Sequence, residues 1–333
     1  MVPTKTTRVL VLLNAKSGTL ANSDAGDEAK RIADGFAAHG VTADVKFLNP
    51  AEAARELEAG RRAGCTAVVV GGGDGTIHTV ANAVAGTEMI FGVLPLGTHN
   101  HFAKELGVSD DLPAAVDALG RALAAGDGVG PIDVAELNGQ LFLNFSGVGL
   151  HPRVVEDREG EHERIKRVPL ARTLLRKFTK PLALLVAFIR ALGSLPILRL
   201  VVEADGRRLS RITPSLVVGN NVHQMAVFGI GEVSVLRRDV LNVYIARTTS
   251  VPQVIRLALA AAFKRLSANR HFESVPCQTL TIRYRRPTLK VTMDGEVMRL
   301  RTPLEYRIRK AALTVVRPGG PATVGDAAAA AAE

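Results

Sequence analysis

The stretch Ala67-Val68-Val69-Val70-Gly71-Gly72-Gly73-Asp74-Gly75-Thr76 decides the predicted fold. Its β-branched run up to Val70 is typical of a buried strand, and helical spacing of apolar residues resumes at Ile77. The stretch therefore predicts a strand, a glycine loop and a helix in succession. In such a loop the backbone N–H groups and the helix N-terminus face an anion, usually phosphate, which glycines allow to approach closely.

Two further polar loops follow predicted strands in the first part of the chain. The apolar strand Arg8–Leu13 precedes the loop 14–18, and the strand Ile90–Leu94 precedes the loop 97–101. Predicted helices alternate with these strands, over 24–39, 51–63 and 113–125. Alternation of this kind is typical of a doubly wound parallel sheet, in which ligands bind at the carboxyl ends of the strands. We therefore expect the three loops to form one site.

The second part of the chain has a different texture after about residue 130. Short β-rich segments are joined by turn dipeptides such as Asn138-Gly139, Asp205-Gly206 and Asp294-Gly295, which predicts an antiparallel sandwich or barrel. The predicted strands cover 133–137, 141–145, 197–204, 215–218, 240–246, 279–283 and 288–293. Helical stretches interrupt it at roughly 161–193 and 252–268. The sequence thus predicts an α/β domain over 1–130, a β-rich domain over 131–302 and a disordered tail over 319–333.

Charge is divided unevenly along the chain. Residues 1–150 carry a net charge of −6 and residues 151–333 a net charge of +16. A basic second half indicates an anionic partner, and aromatic residues at 4% with no Trp argue against nucleic acid. The basic stretch 161–193 is either a core helix with a solvated face or a helix that docks on anionic lipid. Two cysteines far apart in sequence fit a reducing compartment.

Several motifs occur in the order found in the diacylglycerol kinase catalytic-domain family, which includes bacterial soluble lipid kinases and the sphingosine and ceramide kinases. The matching segments are Asn14-Ala15-Lys16-Ser17-Gly18, Gly71 to Thr76, Leu94 to Ala103, Phe142 to Gly149, and Met293-Asp294-Gly295-Glu296. NAD kinases and phosphofructokinases have a related glycine loop, and NAD kinases lack the Gly-Thr-x-Asn loop and the late Asp-Gly-Glu motif. The resemblance covers about residues 8–317 and implies an NAD kinase-like nucleotide domain, to which a strand at 303–318 returns.

The resemblance also implies roles for individual residues, in a cleft between the two domains. Asp74 would hold Mg²⁺ or orient the acceptor hydroxyl, and Glu296 would be the base, with Asp294 supporting or replacing it. The nucleotide phosphates of ATP would be held by Asn14, Ser17, Gly18, Gly72, Gly73, Asp74, Gly75, Thr76, Thr98 and Asn100. Without the family, Asp294-Gly295 would be interpreted as a plain hairpin turn.

The chain departs from the family pattern at three places that bear on charge. His78 replaces an Asn, and His101 replaces an Asp, so that a carboxylate is lost beside the Asn100 loop. Family members often hold a structural Mg²⁺ in an acidic segment for which this chain has only Asp239, with Asn242 in the last position. We therefore expect that Asp239 is at most a remnant of that metal site.

These features together predict an ATP-dependent lipid kinase that acts on a lipid hydroxyl, with diacylglycerol as the first choice. The expected partners are a lipid substrate and an anionic membrane surface, without nucleic acid, for a cytoplasmic protein that is peripheral at the inner membrane face. The alternatives are an NAD kinase-like enzyme and a non-catalytic nucleotide- or lipid-binding protein. The oligomeric state stays open, with a homodimer as one alternative.

Overall fold

A computed structural model describes residues 7–15, 17, 25–97, 100–156, 195–220, 240–262 and 271–318. The chain divides into two compact units, with boundaries at Leu143/Asn144 and Ile308/Arg309. The first unit takes in the final segment of the chain, from Arg309 onward, and the second unit lies between the two boundaries. The predicted helix over 161–193 and the predicted tail over 319–333 lie outside the described residues.

The first unit contains a parallel sheet whose strands occur in the order β2-β1-β3-β4. The strands of the first unit are β1 (Arg8–Leu13), β2 (Thr42–Phe47), β3 (Ala67–Gly72), β4 (Ile90–Pro95), β5 (Val129–Leu137) and β6 (Gln140–Phe142), of which β5 and β6 form an antiparallel hairpin. Its helices are α1 (Ala25–Ala37), α2 (Ala53–Arg62), α3 (Asp74–Val84), α4 (His101–Glu105) and α5 (Leu112–Ala125), with a 3₁₀ turn at Pro50–Glu52. The final strand, β16 (Leu304–Val316), joins this sheet parallel to β4 through Thr314 and Val315.

The inner strands β1 and β3 of this sheet are apolar on both faces because helices cover it. Every residue of β3 is buried, and so is every residue of β1 after Arg8. Such continuous apolar runs are typical of parallel strands packed on both sides. The helices contact one another in two pairs, α1 with α5 and α2 with α3. In α1, Ile32 and Phe36 lie one turn apart and supply the buried stripe.

The glycine segment of the first unit differs in one respect from its prediction. Strand β3 extends to Gly72 and helix α3 begins at Asp74, so that Gly73 alone separates the two elements. In the prediction, Asp74 and Thr76 lie in a loop and the helix resumes at Ile77. A first helical turn needs no apolar periodicity, and an acidic residue there is favoured by the helix dipole, which explains the difference.

The first unit extends beyond the predicted boundary at residue 130, because that boundary lies inside β5. The β5–β6 hairpin is tied to this unit by Asn82 of α3, whose Oδ1 accepts from the Leu141 N–H at 2.8 Å. Asp133 of β5 accepts from the N–H of Ala311 at 2.9 Å and pairs with Lys310 at 2.8 Å.

The second unit is built from antiparallel sheets. Its strands are β7 (Phe145–Gly149), β8 (Leu198–Ala204), β9 (Arg207–Thr213), β10 (Ser215–Gly219), β11 (Leu241–Ala246), β12 (Phe272–Cys277), β13 (Thr279–Tyr284), β14 (Thr288–Met293) and β15 (Glu296–Arg301), with the first part of β16. One sheet has the order β12-β11-β10-β7-β14-β15, and the other contains β9-β8-β13 next to β16. The predicted fold class, a parallel α/β unit followed by an antiparallel one, is confirmed.

Several predicted elements of the second unit need correction. The single strand predicted over 141–145 is two strands, since β6 ends at Phe142 and β7 begins at Phe145. Strands β9, β12 and β15 were not predicted. The helix predicted over 252–268 is observed as α6 (Val251–Ala262), and its predicted continuation lies outside the described residues.

Candidate functional site

The loop after β1 is fastened to the glycine segment by Asn14. The backbone N–H of Asn14 donates to the Gly71 carbonyl at 2.8 Å, and its side-chain Nδ2 donates to Thr76 Oγ1 at 2.8 Å. Ser17 turns the loop back, because its N–H and its hydroxyl both donate to the Asn14 carbonyl, at 2.9 and 2.7 Å. The structure thus brings together Asn14, Ser17 and Thr76, whereas Gly18 lies outside the described residues.

The glycine segments after β3 and β4 approach each other so closely that no side chain fits between them. A Cβ atom built on Gly97 would lie 2.7 Å from the Gly73 Cα and 3.3 Å from the Gly72 carbonyl oxygen. Such distances to backbone atoms cannot be relieved by rotating a side chain. The predicted convergence at the carboxyl ends of the strands is therefore observed for these two segments, while Thr98 and His99 lie outside the described residues.

Asn100 shapes the loop after β4 through its side-chain amide. Its backbone is left-handed, with φ 51°, and it is 7% exposed. Its Oδ1 accepts from the Gly97 N–H at 2.9 Å, and its Nδ2 donates to the Pro95 carbonyl at 3.3 Å. We infer that Asn100 holds Gly97 against Gly73, so any effect on a nucleotide passes through the position of that glycine.

The first turn of α3 carries the polar groups of the glycine segment. Gly73 is the N-cap residue, with an extended backbone, and Asp74 and Gly75 are the first two helical residues. The N–H groups of a first helical turn have no partners within the helix, and the dipole there favours an anion. Asp74 is half-buried beside them. A carboxylate and a phosphate at one helix end repel each other, so a cation between them fits this donor set.

A metal held by protein ligands alone is not supported in the part of the chain that the structure describes. Those residues contain no group of three or more His, Cys, Asp or Glu side chains placed to hold one ion. Mg²⁺ in nucleotide sites takes one or two carboxylates and completes its shell with phosphates and water, which Asp74 alone can satisfy. Asp239 lies outside the described residues, and Asn242 is a buried residue of β11.

The two histidines that depart from the family pattern lie on helices near these loops. His78 is one turn before Asn82, whose Nδ2 lies 3.3 Å from His78 Nε2 and also donates to the Leu141 carbonyl at 3.0 Å. His101 is the first residue of α4, directly after Asn100. Asn82 was not singled out from the sequence, and its position four residues after His78 on one helix face was the available signal.

In the second unit, Asp294 and Gly295 form the tight turn between β14 and β15. Both have positive φ, 47° and 92°, and Met293 is paired with Glu296, which is the geometry of a two-residue hairpin. The Asp294 carboxylate is 7% exposed and accepts from the N–H groups of Asn144 and Phe145, at 2.8 and 3.2 Å. Asp294 therefore holds the start of β7.

Glu296 is the exposed member of this turn. It is the first residue of β15, and its side chain is open to solvent. Within the described ranges no hydrogen bond or ion pair engages its carboxylate. Of the two carboxylates of the Asp-Gly-Glu motif, Glu296 is thus the one available to another molecule.

One face of the six-stranded sheet carries buried polar groups that are far apart in sequence and were not predicted to lie together. Tyr244 on β11 and Thr292 on β14 lie in one row across the sheet, with Val217 and Gly147 between them, and Asn242 is two residues from Tyr244. Tyr244 OH, Thr292 Oγ1 and Asn242 Nδ2 are buried without a hydrogen-bond partner among the described residues. Burial raises the pKa of Tyr244. Because buried polar groups are normally paired, this face is suited to a polar ligand.

Comparison with known proteins gives one matching family model and several curated relatives. Residues 8–130 match the model of the diacylglycerol kinase catalytic domain. The lipid kinase YegS of Escherichia coli K12 is 36% identical over 124 residues, which are 35% of this chain and 40% of that protein. An uncharacterized protein of Synechocystis is 24% identical over 257 residues, which are 75% of this chain and 54% of that protein. The chain thus spans about half the length, or less, of these curated relatives.

A solved structure extends the likeness to the whole fold. A diacylglycerol kinase from Bacillus anthracis superposes with a TM-score of 0.64, over 94% of this chain and 97% of that one. The two sequences are 18% identical, so this likeness shows the fold alone. The likeness to the family depends on the domain match and on the ordered motifs within it. Residues 8–130 of this chain resemble the diacylglycerol kinase catalytic domain.

Proposed function

We propose that the protein transfers the γ-phosphoryl group of ATP to the hydroxyl of a membrane lipid, with diacylglycerol as the substrate and phosphatidic acid as the product. The observation that carries this proposal is the contact of the Gly73 and Gly97 backbones at the ends of β3 and β4. Two adjoining glycine segments beside a helix N-terminus suit the phosphates of a nucleotide. The domain match over residues 8–130 supports the same class of reaction.

In the proposed reaction the first unit binds and orients the nucleotide. The N–H groups at Gly73 and Gly75 and the Thr76 hydroxyl contact the phosphates, and Asn14 orients Thr76 through its 2.8 Å hydrogen bond. Gly18 and Thr98 stay proposed members of this site. Asp74 would hold Mg²⁺ together with the phosphates, and the ion would neutralise charge on the transferred group.

The second unit provides the proposed base. The lipid hydroxyl loses its proton to the Glu296 carboxylate as its oxygen bonds to the γ-phosphorus, and the bond to the β-phosphate oxygen breaks to release ADP. Asp294 positions the segment that precedes Glu296, because its own carboxylate is held by two backbone N–H groups. The buried polar face formed by Tyr244, Thr292 and Asn242 is a candidate surface for the acceptor headgroup.

Transfer of a phosphoryl group from ATP to a membrane lipid must take place at a membrane surface that ATP reaches. We therefore propose that the protein is cytoplasmic and peripheral at the inner membrane face. Among the described residues, no helix combines the length and the hydropathy needed to cross a bilayer.

The first experiment measures transfer of radiolabelled γ-phosphate from ATP, with Mg²⁺, to a total lipid extract in mixed micelles, with NAD in a parallel tube. We expect one labelled lipid, and its chromatographic identity names the substrate. Label in NAD alone would favour an NAD kinase-like enzyme. ATP binding without any labelled product would favour a non-catalytic binding protein, and either result would overturn the proposal.

Two carboxylate variants test the assignment of roles. Asp74→Asn and Glu296→Gln are each expected to lower kcat by about 100-fold or more, since each removes a charge used in the transfer step. The control is Glu88→Gln, an exposed carboxylate on the first unit, for which we expect unchanged turnover. Turnover near the wild-type value in both Asp74→Asn and Glu296→Gln would contradict the mechanism.

A further inference from the structure

A pocket in the second unit lies outside the nucleotide and acceptor residues named so far. It has a volume of about 300 Å³. Its walls come from the segment that follows β7, the residues that enter β8, the turn between β13 and β14, and the middle of β15.

The charged residues of this pocket are all cations. They are Arg153, Arg286, Lys290 and Arg299. Glu156 compensates Lys290, because its two carboxylate oxygens lie 2.8 and 2.7 Å from the Lys290 ammonium. Arg286 and Arg299 are exposed, and among the described residues no carboxylate is paired with either of them. An anion with several oxygens is therefore the ligand that this lining fits.

The pocket is also partly apolar, which narrows the kind of anion. Ile197, at its rim, is 41% exposed, and Leu198 and Leu289 line its wall. Ile212 is 51% exposed and lies on the neighbouring strand β9, on the same face as Ile197, since Arg199 is paired with Ile212 in the sheet. Exposed aliphatic side chains beside arginines suit a membrane interface, where charge and hydrocarbon meet.

Nucleic acid is a poorer match for this pocket than lipid. Tyr284 is its one aromatic lining residue within the described part of the chain, whereas single-stranded nucleic acids are bound on series of stacking aromatics. Free phosphate would satisfy the arginines but would leave the exposed isoleucines without a role.

We propose that this pocket binds the phosphate group of an anionic phospholipid while Ile197 and Ile212 contact the lipid surface. Arg286 and Arg299 bind the phosphate oxygens. The site is separate from the residues assigned to phosphoryl transfer, and its function is to hold the second unit on an anionic membrane. The proposal does not require that the protein be a kinase, since it concerns binding alone.

The test is co-sedimentation of the full chain with vesicles, without ATP. Vesicles of phosphatidylcholine with phosphatidylglycerol are compared with vesicles of phosphatidylcholine alone, and soluble glycerol phosphate is titrated separately. We expect binding to the anionic vesicles, and the double variant Arg286→Gln/Arg299→Gln should weaken it by about thirtyfold, at roughly a kilocalorie per mole for each charge. Ile197→Ser should weaken it further without changing charge.

A matched variant distinguishes a defined site from diffuse attraction. Arg61→Gln/Arg62→Gln removes the same charge from exposed positions of α2 in the first unit, away from the pocket residues and from Ile212. Equal losses for the two double variants would overturn the proposal, as would equal affinity for glycerol phosphate and for anionic vesicles. If the protein is a kinase, Arg286→Gln/Arg299→Gln should leave its turnover on lipid in uncharged detergent micelles unchanged. Turnover in micelles therefore tests the proposed function, whereas binding to vesicles tests this pocket.

Discussion

The dipeptide Asp-Gly occurs at 74–75 in the first unit and at 294–295 in the second, and the two copies have different structures. Asp74 begins helix α3 one residue after a buried parallel strand and is half-buried at the helix N-terminus. Asp294 lies in a hairpin turn with φ 47°, and its carboxylate is used by two backbone N–H groups of the neighbouring strand. The same dipeptide thus places one carboxylate in the first turn of a helix and commits the other to the backbone of the neighbouring strand.

The strand that precedes each dipeptide explains this difference. A parallel strand must be followed by a crossover, so the chain enters a helix at the carboxyl edge of the sheet. An antiparallel strand is followed by a reversal, for which positive φ at both turn positions matches the twist of the strands. Polar groups at a parallel edge remain available for chemistry, whereas those in a hairpin are readily used by adjacent strands.

The largest expected effect is that of Gly97→Ala at the parallel edge. The new Cβ would lie 2.7 Å from the Gly73 Cα, so the two loops must separate. We expect ATP affinity to fall by about 100-fold, equivalent to about 2.7 kcal/mol, as measured by calorimetric titration.

Gly130→Ala is the control for this change, because a Cβ at Gly130 meets no atom within 4 Å. It should leave ATP affinity unchanged. Wild-type affinity in Gly97→Ala would show that the contact between the two loops has no part in binding the nucleotide.

The next prediction compares how replacing each of the two aspartates changes the stability of the protein. Asp294→Ala leaves the N–H groups of Asn144 and Phe145 without their carboxylate and places alanine at positive φ. We expect the free energy of unfolding to fall by about 2–3 kcal/mol in urea titration. Asp294→Asn keeps an acceptor oxygen and tolerates this φ, so it should lose about 1 kcal/mol. Asp74→Asn should change stability by about 0.5 kcal/mol. A larger loss for Asp74→Asn than for Asp294→Ala would reverse the comparison.

The smallest expected effect concerns a second carboxylate of the antiparallel unit that serves the fold. Arg211 donates to both oxygens of Glu273, at 2.9 and 2.8 Å, and these hydrogen bonds hold the pKa of Glu273 below its usual value. We expect Glu273→Gln to lose about 1–2 kcal/mol of stability near neutral pH.

The pH dependence of that loss follows from the direction of the shift. A carboxyl group with a lowered pKa in the folded state contributes its stability fully above its unfolded pKa of about 4.3 and loses it as pH falls through the folded value. Wild type and Glu273→Gln should therefore converge in acid, as followed by thermal unfolding at several pH values. Glu58→Gln on the exposed face of α2 should be nearly neutral throughout, and a constant gap for Glu273→Gln would exclude a charge effect.

The sequence predicted the central elements of both units better than their edges. Apart from Arg8, strands β1, β3 and β4 are apolar throughout, and their identity follows from that alone. The three strands that were not predicted, β9, β12 and β15, lie at the outer edges of their sheets. Edge strands carry charges and proline, such as Arg207 and Pro276, which protect an open edge and also remove the alternation by which strands are identified.

The candidate site was predicted as a set of loops but not as a set of contacts. The glycine segments could be predicted from the sequence, because a run of glycines that follows an apolar strand is visible within a few consecutive residues. The approach of Gly97 to Gly73 and the use of the Asn100 amide to hold it depend on residues that are distant in sequence, so no local pattern contains them. The roles of Asp74 and Glu296 stay predictions until the variants are measured.

The late position of β16 has a consequence for synthesis of the chain. The open side of β4 is covered by Thr314 and Val315, which the ribosome adds about 220 residues after β4 itself. Until then β4 presents unpaired backbone groups, a template for pairing with other chains. The nascent first unit therefore has an interval in which its sheet is incomplete, and slow translation of the antiparallel unit would lengthen exposure of β4 to aggregation.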